Sequence, residues 1–173
     1  LATTIQVPLE LLTVNLADAN AYWNAIDDTN FDFGAIHFES ATAGKAYFGG
    51  IIPKNLAGTP AWNLFLHHMV ASGTGASAVT LTINALDFAN GSSKKGATLT
   101  SIIACATAGT SASANIVFTN IASTLGGSAN LDGVEALGAG NDLVVEIIRQ
   151  GADAGDTARI WQLVNVILQV DVT

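Results

Sequence analysis

The last stretch of the chain, residues 141–173, constrains the fold more than any other. It reads NDLVVEIIRQ, then GADAGDT, then ARIWQLVNVILQVDVT. In the final run Val164, Val166, Leu168, Val170 and Val172 are apolar, and Asn165, Gln169 and Asp171 sit between them, with Ile167 the one exception. Alternation with a period of two marks a strand that buries one face. Two such runs around an acidic, glycine-containing connector predict an antiparallel hairpin. The pattern defines a β-protein and spells out no chemical task.

Similar punctuation recurs upstream. Strands are predicted over Phe33–Glu39, Ala46–Ile52, Trp62–Val70, Val79–Ala85, Ala97–Cys105 and Ala114–Thr119. Gly49-Gly50 inside AYFGGII suggests a bulge or a close backbone approach. Asn15–Trp23 reads as a short helix or a loop, and Asn24–Asp32 as an acidic turn. Leu1–Val14 reads as an arm or leading strand in which Pro8 disfavours a central position. About eight strands with Gly-rich turns and little helix predict an all-β, antiparallel sandwich of jelly-roll type. Residues 1–32 are expected to form an N-terminal arm and lead-in segment and residues 33–173 the sandwich, one compact domain overall. At 173 residues, one domain with a sizeable core is the expectation.

Charge narrows the function classes. Charged residues are 12% of the chain against 50% hydrophobic, where about 25% charged is usual. Mean hydropathy is +0.43. The longest charge-free stretch, Gly96–Leu131, is interrupted by Ser, Thr, Asn and Gly and makes a poor membrane helix. Burial of outer surface against other subunits is the better expectation. Net charge is −8 with six Lys and Arg, of which Lys94 and Lys95 are adjacent, so no cationic face for DNA or RNA is expected. No membrane partner is expected either.

Several constellations bear on chemistry. Asp28, Asn30, Asp32 and Glu39 fall in the first, third, fifth and twelfth places of a calcium-loop register, but the turn glycine comes one place late at Gly34. An acidic surface turn is the plainer reading. Asp153 and Asp156 can form an oxygen cage, or more simply shape a Gly-rich turn, with Arg149 or Arg159 as ion-pair partners. His67 and His68 are adjacent in a strand and point to opposite faces. No nucleophile elbow, phosphate loop or Cys/His pairing is present. The expectation is therefore no enzyme, no catalytic residue and no cofactor. Trp23, Trp62 and Trp161 can serve as a sugar-stacking platform, or as core and edge packing.

The closing pattern resembles one in structural proteins of tailed bacteriophages. The residues that carry it are Gly140, Asn141 and Asp142, then Ile147 and Arg149, then Asp153, Asp156 and Thr157, then Leu163, Val166, Leu168 and Val170. Tyr47, Phe48, Ile52 and Pro53 fit upstream. The resemblance spans residues 33–173 in outline. It implies a jelly-roll subunit on the virion surface, such as a capsid decoration, head-fibre or tail-fibre module. Such a subunit is expected to be a homotrimer with virion proteins such as the major capsid protein as partners. A receptor- or carbohydrate-binding module of a tail fibre, or a secreted filament subunit, is the alternative.

Overall fold

A computed structural model of the chain describes residues 3–14, 20–26, 33–39, 43–57, 62–70, 77–88, 97–105, 117–120, 138–156 and 160–173. Ten strands run through them: β1 (Thr3–Val14), β2 (Ala21–Ile26), β3 (Phe33–Phe38), β4 (Ala43–Ile51), β5 (Trp62–Val70), β6 (Ser77–Phe88), β7 (Ala97–Cys105), β8 (Val117–Asn120), β9 (Asp142–Gln150) and β10 (Trp161–Val172). Every ladder among them is antiparallel.

The ladders form two sheets that share β1. The first sheet is built on β10, which pairs with β5 on one side and with β1 and β3 on the other. Strand β2 extends it beyond β3, and β8 beyond β5. The second sheet runs β1-β4-β9-β6-β7. The chain passes between sheets at most connections, as in a sandwich of jelly-roll type. That is the architecture expected from the sequence.

Strand β1 is paired on one side at each level. Thr3–Leu9 pair with β10, and Glu10–Val14 with β4. Pro8 therefore lies in a stretch with a ladder on one side, the setting in which a strand tolerates proline. Just past the change of sheet the register shifts between Leu11 and Thr13, so a bulge falls in β1 opposite Phe48 and Tyr47 of β4.

The core lies between the sheets. Leu143, Val145 and Ile147 of β9, Ala46 and Phe48 of β4, and Val79, Leu81 and Ile83 of β6 meet Trp161, Leu163, Val166, Leu168 and Val170 of β10 and Leu64 and Leu66 of β5. The alternation in β10 changes parity at a bulge between Leu163 and Asn165, so odd positions face inward before it and even ones after. Ile167, the exception in the pattern, is buried on the outer face, in register between Pro8 and Phe65.

Two sequence expectations are corrected. Ala21–Trp23 is strand and neither helix nor loop, and Asn24–Ile26 continues that strand. An edge strand with one neighbour needs no regular apolar alternation, which is why NAYWNAI reads ambiguously.

Candidate functional site

Among the described residues Trp23 is the aromatic side chain held in the open: it is 58% exposed. It pairs with Ile36 of β3, and Ile36 and the next-but-one residue, Ala21, are both buried. Trp23 is thus on the core side of β2, at a point where the strand overhangs the sandwich. Gly34 shapes its seat. A Cβ at Gly34 would collide with the Trp23 ring, so the indole lies across bare backbone. A flat ring, fixed on a paired strand and open to solvent, is suited to stacking on a flat apolar face of a ligand.

The outer face of the same strands carries a polar cluster. Tyr22 donates its hydroxyl to Glu39 Oε1 at 2.9 Å, and its ring packs against His37 with centroids 5.4 Å apart. His37 Nε2 lies 2.8 Å from Gln162 Nε2, both side chains being buried. The hydrogen bond to Glu39, then burial and the carboxylate's charge, raises the Tyr22 pKa. Burial lowers that of His37, against a smaller opposing pull from Glu39. Farther along β10, on its β5 side, Asn63 Nδ2 donates to Gln169 Oε1 at 3.3 Å.

The acidic connector of the closing hairpin is a structural clamp. Arg149 Nε donates to Asp156 Oδ2 at 3.0 Å and its Nη2 to Asp156 Oδ1 at 2.6 Å, a bidentate pair with both side chains fully buried. Arg149 Nη1 donates to the Phe38 carbonyl at 2.6 Å, which ties β9 of one sheet to β3 of the other. The Thr80 amide also donates to Asp156 Oδ2. Asp153 Oδ1 accepts from the Gly155 amide at 2.7 Å and from the Thr80 hydroxyl at 3.3 Å. These aspartates are turn formers and an ion-pair partner, the plainer of their sequence readings.

The remaining predicted positions are distributed as follows. Trp161 is fully buried, donating Nε1–H to His68 Nδ1 at 3.0 Å and packing on Phe38 at 5.1 Å between centroids. It is core and not a stacking platform, because an inward position of the central strand β10 leaves no face open. Trp62 opens β5 opposite Val170; its side chain lies outside the described residues. So do Asp28, Asn30, Asp32 and Arg159, while Glu39 is engaged by Tyr22. His67 and His68 point to opposite faces, paired with Asn165 and Leu163 respectively. Burial, and then the neighbouring His67, depress the His68 pKa to about 4; burial lowers that of His67 as well. Among the described residues no group of three or more His, Cys, Asp or Glu side chains could hold a metal ion.

The outer surface also carries exposed aliphatic side chains beside β1. Leu12 and Ile51 are 55% and 64% exposed, on either side of the Gly49-Gly50 pair. The run LELLT in β1 carried the signal: two adjacent leucines break the alternation where the bulge lies.

No protein-family model matches the chain, and no curated protein matches it. Solved structures resemble it in outline. A family 11 carbohydrate-binding module from Clostridium thermocellum, in complex with a β-1,3-1,4-mixed-linked tetrasaccharide, is 11% identical; the match covers 94% of this chain and 95% of that one, with a TM-score of 0.41. TmCBM61 in complex with β-1,4-galactotriose is 6% identical over 95% of this chain and 86% of that one, TM-score 0.39. An arabinose-bound α-L-arabinofuranosidase, MgGH51, is 15% identical over 91% of this chain and 25% of that one, TM-score 0.36. Similarity at this level does not bear on the ligand of this chain.

Proposed function

We propose that the chain is a non-catalytic binding module, with Trp23 as the platform on which a carbohydrate ring stacks. The observation that supports this is the indole itself, 58% exposed on a paired strand and seated over Gly34. Leaving so large an apolar surface in water forgoes burial worth about 1.5–3 kcal/mol for a large side chain. A strand position that can instead be filled by a polar residue at no cost to the core gives a reason for a tryptophan only if something covers it. Pyranose rings present C–H faces that match a fixed aromatic plane, and they carry no charge for an acidic chain to repel. The test is a glycan array followed by calorimetry on any hit. Binding is expected to fall at least about ten-fold, or 1.4 kcal/mol, in Trp23→Ala with an unchanged thermal melt. Silence across the array, or equal affinity in Trp23→Ala, would overturn the proposal.

A second reading has its own support. Leu11, Leu12 and Ile51 are exposed together with Trp23, and the chain is 12% charged. Exposed apolar residues on a charge-poor surface suit a subunit that works by its contacts. On this reading the chain is a virion surface subunit, a homotrimer beside other capsid or fibre proteins. Light scattering at micromolar concentration separates the two, a trimer favouring assembly and a monomer the free binding module.

A further inference from the structure

The face of β10 turned away from the core carries an ordered set of carboxamides. Gln6, Gln169 and Asn63 lie in one row across β1, β10 and β5, and Pro8, Ile167 and Phe65 lie in the next. Asn165 and His67 make the third row. All three rows are on the outer face, because the residues that alternate with them, Val7, Leu64, Leu66, Val166 and Leu168, pack in or against the core. The rows form a strip about 10 Å across and about 14 Å long, from about 4.8 Å between strands and 3.4 Å per residue. Gln6 and Pro8 are exposed, and Asn63, Phe65, Asn165 and Gln169 are half-buried. Ile167, 7% exposed, is the floor between the amide rows.

The amides are held but not used up. Asn63 Nδ2 donates to Gln169 Oε1 at 3.3 Å, and Asn165 Oδ1 accepts from the Val166 amide at 2.9 Å. Among the described residues the Asn63 oxygen, the N–H groups of Gln169 and Asn165 and the whole Gln6 carboxamide are in no other bond. Charge is confined to the ends of the strip. Asp171 lies one row beyond Gln169 and accepts from the Thr4 hydroxyl at 2.7 Å. Glu10 stands at the other end, where β1 has passed to β4. The outer face of the second sheet differs, since it carries the Lys45–Glu146 ion pair.

We propose that this strip is a second carbohydrate-binding face, for a neutral polysaccharide chain laid along β10. A carboxamide presents an N–H donor and a C=O acceptor side by side, which matches two neighbouring sugar hydroxyls. The apolar row of Pro8, Ile167 and Phe65 takes the C–H face of a ring between flanking amides. Among the described residues no Lys or Arg lies on the strip to select an anionic ligand, and a net charge of −8 repels one. Groups spread lengthwise on an open sheet suit the interior of a chain more than a single terminal sugar. Trp23 is on the opposite, core side of the first sheet, so this face does not depend on it.

The test is calorimetric titration of the full chain with hydroxyethylcellulose, galactomannan and dextran, and with polygalacturonate as the charged counterpart. Saturable binding of at least one neutral polymer is expected, with none of polygalacturonate. Gln6→Ala and Gln169→Ala should each weaken it by about five-fold or more, the scale of one or two lost hydrogen bonds. Gln6 is exposed, so Gln6→Ala should melt as the parent does. Trp23→Ala should still bind. The proposal is overturned if no neutral polymer binds, if polygalacturonate binds equally, or if both glutamine variants bind as tightly as the parent. Binding lost in Trp23→Ala and kept in both glutamine variants would overturn this face and leave the Trp23 platform standing. The proposal also fails if sedimentation shows a dimer that Gln6→Ala dissociates, since the strip would then be a contact between copies.

Discussion

Arg149 occupies an inward position of β9, in the same phase as Leu143, Val145 and Ile147. A guanidinium there must be neutralised and hydrogen-bonded, because an unpaired buried charge costs several kcal/mol. Asp156 answers it from the connector, and the Phe38 carbonyl takes a further N–H. Arg149→Ala should therefore destabilise the fold by about 3–5 kcal/mol, read as a lower urea midpoint. Replacing both partners with apolar residues, Arg149→Met with Asp156→Leu, should cost less than Arg149→Ala alone, since no orphaned carboxylate remains. This pair was legible in outline: strand parity turns Arg149 inward, and the nearest carboxylates lie in the connector. Which aspartate it takes was not legible, because the choice depends on how two successive turns fold. These close through Asp153 N to Gln150 O and Asp156 N to Asp153 O. Trp23 shows the opposite case. Its exposure follows from where an edge strand overhangs the opposing sheet, a relation between distant parts that no local pattern encodes.

At the scale of elements, the β9–β10 hairpin was readable because each strand buries one face and the burial repeats every second residue. The turn that leads into it carries its own sequence signal in Gly138 and Gly140. Asn141 N donates to Gly138 O at 3.0 Å, with Gly140 at φ 79°, the geometry of a type II turn whose third residue must be left-handed. Gly140→Ala should cost about 1–2 kcal/mol, measurable by chemical denaturation. Strand β1 was harder to read. Its burial is sparse, with Leu9 the one buried residue, because it serves each sheet for half its length and follows neither face throughout. It is nevertheless integral to the sandwich. Removing residues 1–9 would strip the partner from one side of the C-terminal half of β10, leaving β5 on the other, and open an apolar edge. The truncated chain is expected to aggregate or to melt at a clearly lower temperature in a thermal scan, whereas an arm that only links copies would leave the melt unchanged.

The whole molecule carries its histidines neutral. His68 is fully buried and accepts from Trp161 Nε1–H through Nδ1, so its proton sits on Nε2 and protonation would set two N–H groups against each other. Its pKa is depressed from 6.5 to about 4. Between those values the unfolded chain binds the extra proton and the folded chain does not. The contribution is thus complete above about pH 6.5 and is lost as pH falls toward 4, to a total of about 3 kcal/mol. His37 and His67 shift in the same direction and steepen the loss. Urea midpoints should fall from pH 7 to pH 4.5, and His68→Gln should flatten that slope. Trp23 is the residue proposed to bind. Amide and indole NMR spectra of the labelled protein test it directly, because Trp23 is exposed while Trp161 is buried and hydrogen-bonded. On titration with the oligosaccharide selected by the array, the Trp23 indole resonance should shift saturably while that of Trp161 stays in place. A saturable shift confined to other residues, with the Trp23 resonance unmoved, would contradict the account.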